Sequence, residues 1–237
     1  MRKELDQFLS YLKHEKNASS HTLSGYQIDL TQFAKYLEER GLKLREIDNI
    51  SLRGFLAHLH EKKQKKTTVA RKLAAIRSFL EFCLKKNWLN YNPARAVVTP
   101  KQEKHVPSFL SEEEMARYLD LPQSDRLLDL RDKAILEFLY ATGIRISELV
   151  GINLEDINFE ERLIRVKGKG KKERLVPFGR KANESMVSYL RARSSMPKGL
   201  MAEKALFLNY RGERLTPRSV ERVVEKYISL TALRRKI

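Results

Sequence analysis

Residues 141–179 read ATGIRISELVGINLEDINFEERLIRVKGKGKKERLVPFG and place one arginine, Arg145, inside an otherwise apolar helical pattern. Neighbours at helical spacing, among them Ile144 and Leu149, predict that most faces of this segment are buried. A buried guanidinium is costly unless it has an anionic partner. Two partners are open: Glu148, three residues on and on the same helical face, or an anion that is not part of the chain.

The second half of this stretch predicts a β-hairpin. Apolar residues at 163–166 and 175–176 suit two short strands, and the turn between them, GKGKKER at 168–174, is rich in glycine and lysine. Glycines on both sides of Lys169 permit tight backbone angles, so its ammonium group would stand at the hairpin tip. The turn lacks the G-x-x-x-x-G-K-[ST] spacing of a nucleotide-binding P-loop, and it joins two strands.

Arg145 and Lys169 are together a candidate pair for one phosphodiester. A guanidinium offers a fork of donors to the two non-bridging oxygens, and a lysine can deliver a proton to a leaving oxygen. The alternative left open by the residues is a hairpin that only touches the DNA backbone.

Positive charge is the strongest signal in the composition. The 237 residues carry a net charge of +17. Residues 1–107 hold 21 lysines and arginines against 11 acidic residues, and residues 108–237 hold 26 against 19. Such a surface attracts polyanions, and nucleic acid is the usual partner. A solvated basic surface without a ligand is the alternative.

The remaining composition is that of a water-soluble chain of one large or two ordinary domains. No apolar run reaches the length of a transmembrane helix, and the N-terminus lacks the apolar core of a signal peptide. The single cysteine, Cys83, excludes an internal disulfide and suits a reducing compartment. We therefore expect a cytoplasmic protein without a membrane partner.

The first 91 residues predict a small domain of four or five short helices. Apolar residues recur at helical spacing throughout residues 1–91. Gly41 is expected to end the second helix, Ser51 to cap the third, and Thr67 or Thr68 to cap the fourth.

A change of pattern separates this region from the rest of the chain. Residues 92–107 contain three prolines and no helical stripe, which predicts an extended linker. Residues 108–237 resume with a helix whose capping box is Ser111 with Glu114. Beyond the hairpin, the pattern places helices near 181–193 and 216–228 and a short strand at 205–209.

The start of the fourth helix collects basic and hydroxyl side chains. A helix that presents such groups could lie in the major groove of DNA, while a solvated basic face is the equally open alternative. The candidate DNA contacts of this segment are Lys66, Thr67, Thr68, Arg71, Lys72 and Arg77.

Residues 141–179 resemble the first catalytic box and the β-hairpin of tyrosine recombinases, specifically the Xer-like branch. The matching motifs are R-x-S-E-L at 145–149 and G-K-G-x-K-E-R at 168–174, and they follow a helical region and a linker in the family's order. The resemblance extends over almost the whole chain, through SSHTLSGYQIDLTQFAKYL upstream and LFLNYRGERLTPRSVERVVEKY downstream. It implies a mainly α fold with a small β-hairpin, in which a SAM-like core-binding domain at 1–91 precedes a catalytic domain at 108–237.

The resemblance also implies a role for each matched residue. Arg145 would grip the scissile phosphate, Glu148 would orient the site from behind, and Lys169 would be the general acid for the 5′-oxygen. The family's tyrosine forms a 3′-phosphotyrosyl link to DNA without a metal or a nucleotide cofactor. The other hairpin residues expected to contact DNA are Lys171, Lys172 and Arg174.

The chain departs from the family's pattern after Tyr227. All five histidines precede residue 106, and neither an H-x-L-R box nor a C-terminal tyrosine motif follows. We therefore expect a catalytic domain that lacks its C-terminal catalytic segment, so whether the chain alone is an enzyme stays open. The five tyrosines of the second half fall in patterns that favour packing, and none is assigned as the nucleophile: Tyr118, Tyr140, Tyr189, Tyr210 and Tyr227.

Two functions are consistent with these residues. In the first, the chain is a Xer-like recombinase that retains DNA binding but not cleavage, and the whole protein performs site-specific recombination to resolve chromosome dimers or to integrate a mobile element. In the second, it is a non-catalytic protein that occupies recombination sites. Either function predicts double-stranded DNA as a partner. The resemblance adds other recombinase subunits, which form a tetramer on DNA, and a monomer when the chain is free.

Overall fold

The computed structural model describes residues 1–101, 110–168, 172–195 and 204–234, with side chains in the last range as far as residue 231. The chain divides into two compact units, Met1–Val106 and Pro107–Ile237. No helix within the described ranges is both long enough and apolar enough to cross a membrane.

The described part of the first unit is a bundle of four helices with two 3-10 turns. The helices are α1 (Arg2–His14), α2 (Ser20–Glu38), α3 (Asn49–Glu61) and α4 (Lys66–Lys85), and the turns are Leu44–Glu46 and Pro93–Ala96. Each helix contributes a fully buried phenylalanine, namely Phe8, Phe33, Phe55 and Phe79 in turn. The rings of Phe8 and Phe79 lie 5.6 Å apart, and those of Phe33 and Phe55 lie 5.0 Å apart. The ring of Tyr26 on α2 lies 6.0 Å from that of Phe8, so these aromatic contacts join all four helices into one core.

Two of the predicted helix starts are wrong. Helix α3 begins at Asn49, and its cap is Asp48, three residues before the predicted cap Ser51. Asp48 accepts from the Ser51 N–H at 2.7 Å, and Ser51 Oγ accepts from the Asp48 N–H. Helix α4 begins at Lys66, ahead of both candidate threonines, and its cap residue Lys65 makes no side-chain capping bond. Gly41, at φ +67°, does end α2, as predicted.

Residues 92–97, predicted to open the linker, pack against the first unit. Ala94 and Val97 are buried in its core. Arg77 holds this segment by donating to the Ala94 carbonyl at 3.1 Å, to Thr99 Oγ1 at 2.8 Å and to the Val97 carbonyl.

The second unit combines helices with one small antiparallel sheet. The helices are α5 (Glu112–Leu119), α6 (Leu127–Thr142), α7 (Ile146–Gly151), α8 (Arg180–Ser194) and α9 (Pro217–Arg234), and the strands are β1 (Ile157–Asn158), β2 (Leu163–Lys167) and β3 (Glu173–Pro177). The sheet has the order β1-β2-β3, and Val166 of β2 lies opposite Arg174 of β3. The prediction of a mainly helical chain with a small β-hairpin is confirmed, and β1 is an addition to it.

The local sequence signals of this unit correspond to the structure in one case and differ from it in another. The Ser111–Glu114 capping box is present, with reciprocal bonds of 2.9 and 3.2 Å. The predicted strand at 205–209 is reduced to two isolated bridges, Asn153 with Ala205 and Leu208 with Arg214. The reason is that the two ends of this segment pair with different parts of the chain, Ala205 with Asn153 and Leu208 with Arg214, so no continuous partner strand is available.

Candidate functional site

Arg145 stands at the junction of two helices rather than inside one. Gly143, in the left-handed conformation at φ +59°, ends α6, and Arg145 is the cap residue directly before α7. Its side chain is 76% exposed. The expectation of a buried Arg145 is therefore wrong, because the glycine breaks the helical register on which that expectation was based.

Glu148 is the buried centre of the site. Its side chain is 5% exposed and accepts four hydrogen bonds. Arg145 donates its backbone N–H at 2.9 Å and Nη1 at 3.2 Å. Arg174 donates Nη1 at 3.0 Å and Nη2 at 2.9 Å, one to each carboxylate oxygen. The carboxylate of α7 thus ties Arg145 to strand β3.

These contacts keep the Glu148 carboxylate ionised. The hydrogen bonds from Arg174 are the largest cause, and with those from Arg145 they lower the pKa of Glu148 to about 2, against the opposing effect of burial. One negative charge therefore faces two guanidinium groups. The cluster keeps a net positive charge of about one unit at neutral pH.

Arg145 has donors to spare. Of its guanidinium nitrogens, only Nη1 bonds to Glu148, and Nε and Nη2 have no partner in the part of the chain that the structure describes. The salt bridge to Glu148 is therefore present, and most of the Arg145 guanidinium is exposed. An external anion as a further partner stays a prediction. A fork of free N–H groups on an anchored arginine suits a phosphate oxygen.

The base of the hairpin lies against this cluster. A β-carbon added to Gly168 would lie 3.3 Å from Arg174 Nη1 and 3.5 Å from Glu148 Oε1. The Gly168 N–H donates to the Lys172 carbonyl at 2.7 Å and closes the turn. Lys169 and Lys171 lie outside the described residues, and Lys169 follows Gly168 directly in the chain.

The candidate contacts at the start of α4 divide into two groups. Lys66, Thr67 and Arg71 are exposed and Thr68 is half-buried. The side chain of Arg71 is 53% exposed and pairs with Asp29 of α2, which is fully buried.

Lys72 and Arg77 point elsewhere. Lys72 is buried, and its Nζ donates to Asp29 Oδ1 at 2.9 Å. Arg77 is committed to the carbonyls and hydroxyl of residues 94–99. The prediction that these two side chains contact DNA does not fit their positions, because each is already hydrogen-bonded to other residues of the first unit.

The tyrosines of the second half are of two kinds. Tyr118, Tyr189 and Tyr227 are buried, and burial raises the pKa of each, that of Tyr118 to about 12. Tyr140 and Tyr210, at 57% and 69%, are exposed, so the expectation that all five pack inside is wrong for these two. Neither exposed phenol hydrogen-bonds to the Arg145–Glu148–Arg174 cluster in the described ranges.

Comparison with known proteins matches both units. The model of the phage integrase family covers residues 108–236, and that of the phage integrase N-terminal SAM-like domain covers residues 5–87. The protein described as tyrosine recombinase XerC from Thermodesulfovibrio yellowstonii is 41% identical over 97% of this chain and 76% of its own length. The chain belongs to the Xer-like tyrosine recombinases of the phage integrase family.

Other members extend this relationship. The tyrosine recombinase XerC of Syntrophus aciditrophicus is 41% identical over 98% of this chain and 79% of its own length. Among solved structures, the XerH site-specific recombinase bound to a palindromic difH substrate has a TM-score of 0.74 at 22% identity, over 98% of this chain and 69% of that one. At that identity the likeness concerns the fold alone.

The sequence did not predict the intramolecular partners of Arg174 and Arg214. Arg174 was predicted to contact DNA, and it also forms the fork that holds Glu148. Asp29, which pairs with Arg71 and Lys72, and Arg214, which binds the end of α7, were not predicted to have any role. Their partners lie 26 to 64 residues away in sequence, so no local spacing signals them.

Proposed function

We propose that this chain binds double-stranded DNA and holds the scissile phosphate of a recombination site with Arg145. The observation that carries the proposal is the largely exposed Arg145 guanidinium, fixed by one nitrogen to a buried, ionised Glu148 that Arg174 also grips. Preorganised donors of this kind stabilise negative charge that develops on a phosphate in the transition state.

Lys169 is proposed as the general acid for the leaving 5′-oxygen. Its attachment point is adjacent to Gly168, which lies against the Glu148 carboxylate. Consecutive Cα atoms are about 3.8 Å apart, so Lys169 joins the chain next to the residue that contacts this carboxylate. Lys171 and Lys172 are proposed as contacts to the neighbouring backbone.

DNA contacts of the first unit are proposed for the exposed start of α4. Lys66, Thr67, Thr68 and Arg71 remain in this set, and Lys72 and Arg77 leave it. The difH-bound XerH and the lambda integrase dimer bound to a core site support both double-stranded DNA and neighbouring subunits as partners. The expected assembly on DNA is multimeric, and the free chain is a monomer.

A polypeptide of these 237 residues is proposed to bind DNA without cutting it. The second half contains no histidine. Three of its tyrosines are buried with raised pKa values, which disfavours the phenolate that attacks a phosphate. Losing members of a cooperative catalytic set costs orders of magnitude in rate, so binding without covalent linkage is the expected behaviour.

The alternative is a DNA-binding protein that occupies recombination sites and blocks or escorts an intact recombinase. It differs from the first proposal in what happens when an intact relative is added: an escort changes the relative's product yield, and a recombinase chain takes part in strand exchange itself.

The proposal for Arg145 is tested with a duplex selected by this chain from a random-sequence pool. Each backbone phosphate near the centre is replaced in turn by a neutral methylphosphonate, and the Kd is measured for the unmodified chain, Arg145→Ala and Arg180→Ala. Arg180 is the matched control, since it is 78% exposed and pairs with Glu184 on its own helix. At one phosphate, the methylphosphonate should raise the Kd of the unmodified chain and of Arg180→Ala about tenfold more than the Kd of Arg145→Ala, as expected for a charge-assisted bond.

Two results would count against this function. If every phosphate has the same effect on all three proteins, Arg145 does not hold a specific phosphodiester. If a nicked duplex traps a covalent adduct that resists denaturing electrophoresis, the chain carries a working nucleophile and the no-cleavage part of the proposal fails.

A further inference from the structure

Helix α7 is too short to hold itself in place. It has six residues and is roughly 9 Å long, and isolated helices of that length are not stable in water. Its beginning is fixed by the bond between Glu148 and the Arg145 N–H, and its middle by Leu149, which is fully buried. The position of the Arg145 side chain therefore depends on what holds the other end.

Arg214 holds the end of α7. Its Nη1 donates to the Val150 carbonyl at 2.8 Å and to the Ile152 carbonyl at 3.0 Å, and its Nη2 donates to Asn153 Oδ1 at 2.5 Å. The last carbonyls of a helix have no partner within the helix. The Ile152 carbonyl also accepts from the Leu206 N–H at 3.0 Å, so Arg214 adds a second bond there and binds the Val150 carbonyl and the Asn153 side chain beside it.

The segment that carries Arg214 is itself anchored. Arg214 forms a backbone bridge with Leu208, and the Leu215 N–H donates to the Phe207 carbonyl at 3.0 Å. Phe207 and Leu215 are both buried at 2% exposure. The guanidinium therefore reaches α7 from a fixed support and not from a mobile loop.

The charge of Arg214 is directed at the helix and not at an acid. Within the described ranges it has no carboxylate partner, and the negative end of the α7 dipole faces it. Three acceptors in different directions require the planar fork of arginine. Lysine would keep the charge but bring a single nitrogen, so it could not satisfy all three.

We propose that Arg214 is a positioning residue of the phosphate site. By clamping the Val150 and Ile152 carbonyls, it fixes the axis of α7 and with it the direction in which Arg145 leaves the helix. This inference rests on the proposed function of Arg145 as the phosphate ligand, and the two are separated by the measurements that follow.

The clamp is tested first without DNA, by hydrogen exchange of the α7 amides. Arg214→Lys should speed exchange at the Leu149 and Ile152 N–H groups about tenfold, while amides in α8 keep their rates. Arg211→Lys is the matched control, because Arg211 lies in the same turn and, among the described residues, its guanidinium hydrogen-bonds only to Tyr210 Oη. Equal exchange in both variants would overturn the clamp.

The effect on Arg145 is tested with the methylphosphonate series. In the unmodified chain, the Arg145-dependent phosphate is worth about tenfold in Kd. Arg214→Lys should remove most of that tenfold effect. In the double variant Arg145→Ala/Arg214→Lys, the phosphate effect should be the same as in Arg145→Ala alone. A cost of Arg214→Lys that persists unchanged in the Arg145→Ala background would assign Arg214 a purely structural role and overturn the proposal.

A gentler variant covers the case in which Arg214→Lys does not fold. Asn153→Ala removes one of the three acceptors and keeps the arginine, so it should give the same pattern at smaller amplitude. If Arg145→Ala itself leaves every phosphate effect intact, the proposed function fails and the Arg214 inference with it. If Arg145→Ala removes the phosphate effect but the Arg214 and Asn153 variants do not reduce it, the proposed function stands and the positioning role is overturned.

Discussion

Arg174 and Glu148, 26 residues apart in the chain, join through two parallel hydrogen bonds of 3.0 and 2.9 Å. This fork links strand β3 of the hairpin to helix α7, whose cap residue is Arg145. The hairpin base therefore cannot move without disturbing the carboxylate that also holds Arg145. The geometry couples the expected position of Lys169 to that of Arg145 through one buried charge.

Arg174→Met should weaken DNA binding more than its own lost charge explains. Removing the fork frees Glu148 to take both remaining nitrogens of Arg145, which would withdraw them from a phosphate. We expect a Kd increase of about tenfold or more at constant salt, measured by fluorescence anisotropy on the selected duplex. Arg165→Met is the control, since Arg165 is also a half-exposed strand arginine on a buried carboxylate, Asp156. Equal losses for both variants would show that general charge, not the fork, is responsible.

Glu148→Gln should lower the free energy of unfolding in a way that depends on pH. The pKa of Glu148 is about 2 in the folded chain and 4.5 ordinarily, so its ionised contacts stabilise the fold fully above pH 4.5. That contribution is lost as the pH falls through 4.5 towards 2. Urea unfolding should show a difference from the unmodified chain of about 2 kcal/mol at pH 7, unchanged at pH 5.5 and shrinking below pH 4. A difference that grows on acidification would contradict this assignment.

Short-range features of the fold could be predicted from the sequence, and long-range ones could not. The Ser111–Glu114 capping box and the apolar stripes that bring Phe8, Phe33 and Phe79 together each depend on residues three or four positions apart. Such spacings are visible in a linear pattern. The helical class and the hairpin followed from them.

The wrong predictions at the candidate site have causes that short sequence spacings do not show, namely a backbone conformation and a contact between distant residues. Arg145 was expected inside a helix, because an apolar pattern does not reveal that Gly143 turns left-handed and ends α6. Lys72 was expected on the surface, but it is buried. Its partner is Asp29 on α2, 43 residues earlier in the chain, and no local pattern around Lys72 reveals that contact. A buried carboxylate on another helix outweighs the sequence preference of lysine for solvent.

Gly168→Ala should reduce DNA affinity with little effect on folding. The backbone of Gly168 is not in the left-handed region, so alanine causes no intrinsic strain, but its β-carbon would press on Arg174 Nη1 at 3.3 Å. The guanidinium tip has to shift by a few tenths of an ångström and loosen its grip on Glu148. We expect a severalfold increase in Kd and a stability change below about 1 kcal/mol. Gly151→Ala is the control, since nothing lies within 4 Å of its added carbon, and it should not alter the Kd.

Lys72→Met and Arg71→Met should separate neighbouring residues of α4 by their salt dependence. Arg71 is half-exposed and Lys72 is 6% exposed, although both pair with Asp29. Each phosphate contact contributes roughly 0.9 to the slope of log K against log salt, so Arg71→Met should lower that slope by about 0.9 and Lys72→Met should leave it unchanged.

Stability should respond in the opposite order. Lys72→Met leaves the fully buried Asp29 with only the partly exposed Arg71, which should cost roughly 3 kcal/mol in urea unfolding. The double variant Asp29→Asn/Lys72→Met should recover part of that loss, because it buries no unpaired charge. A lower salt slope for Lys72→Met would mean that this lysine leaves Asp29 to reach DNA, and would restore it to the set of DNA contacts.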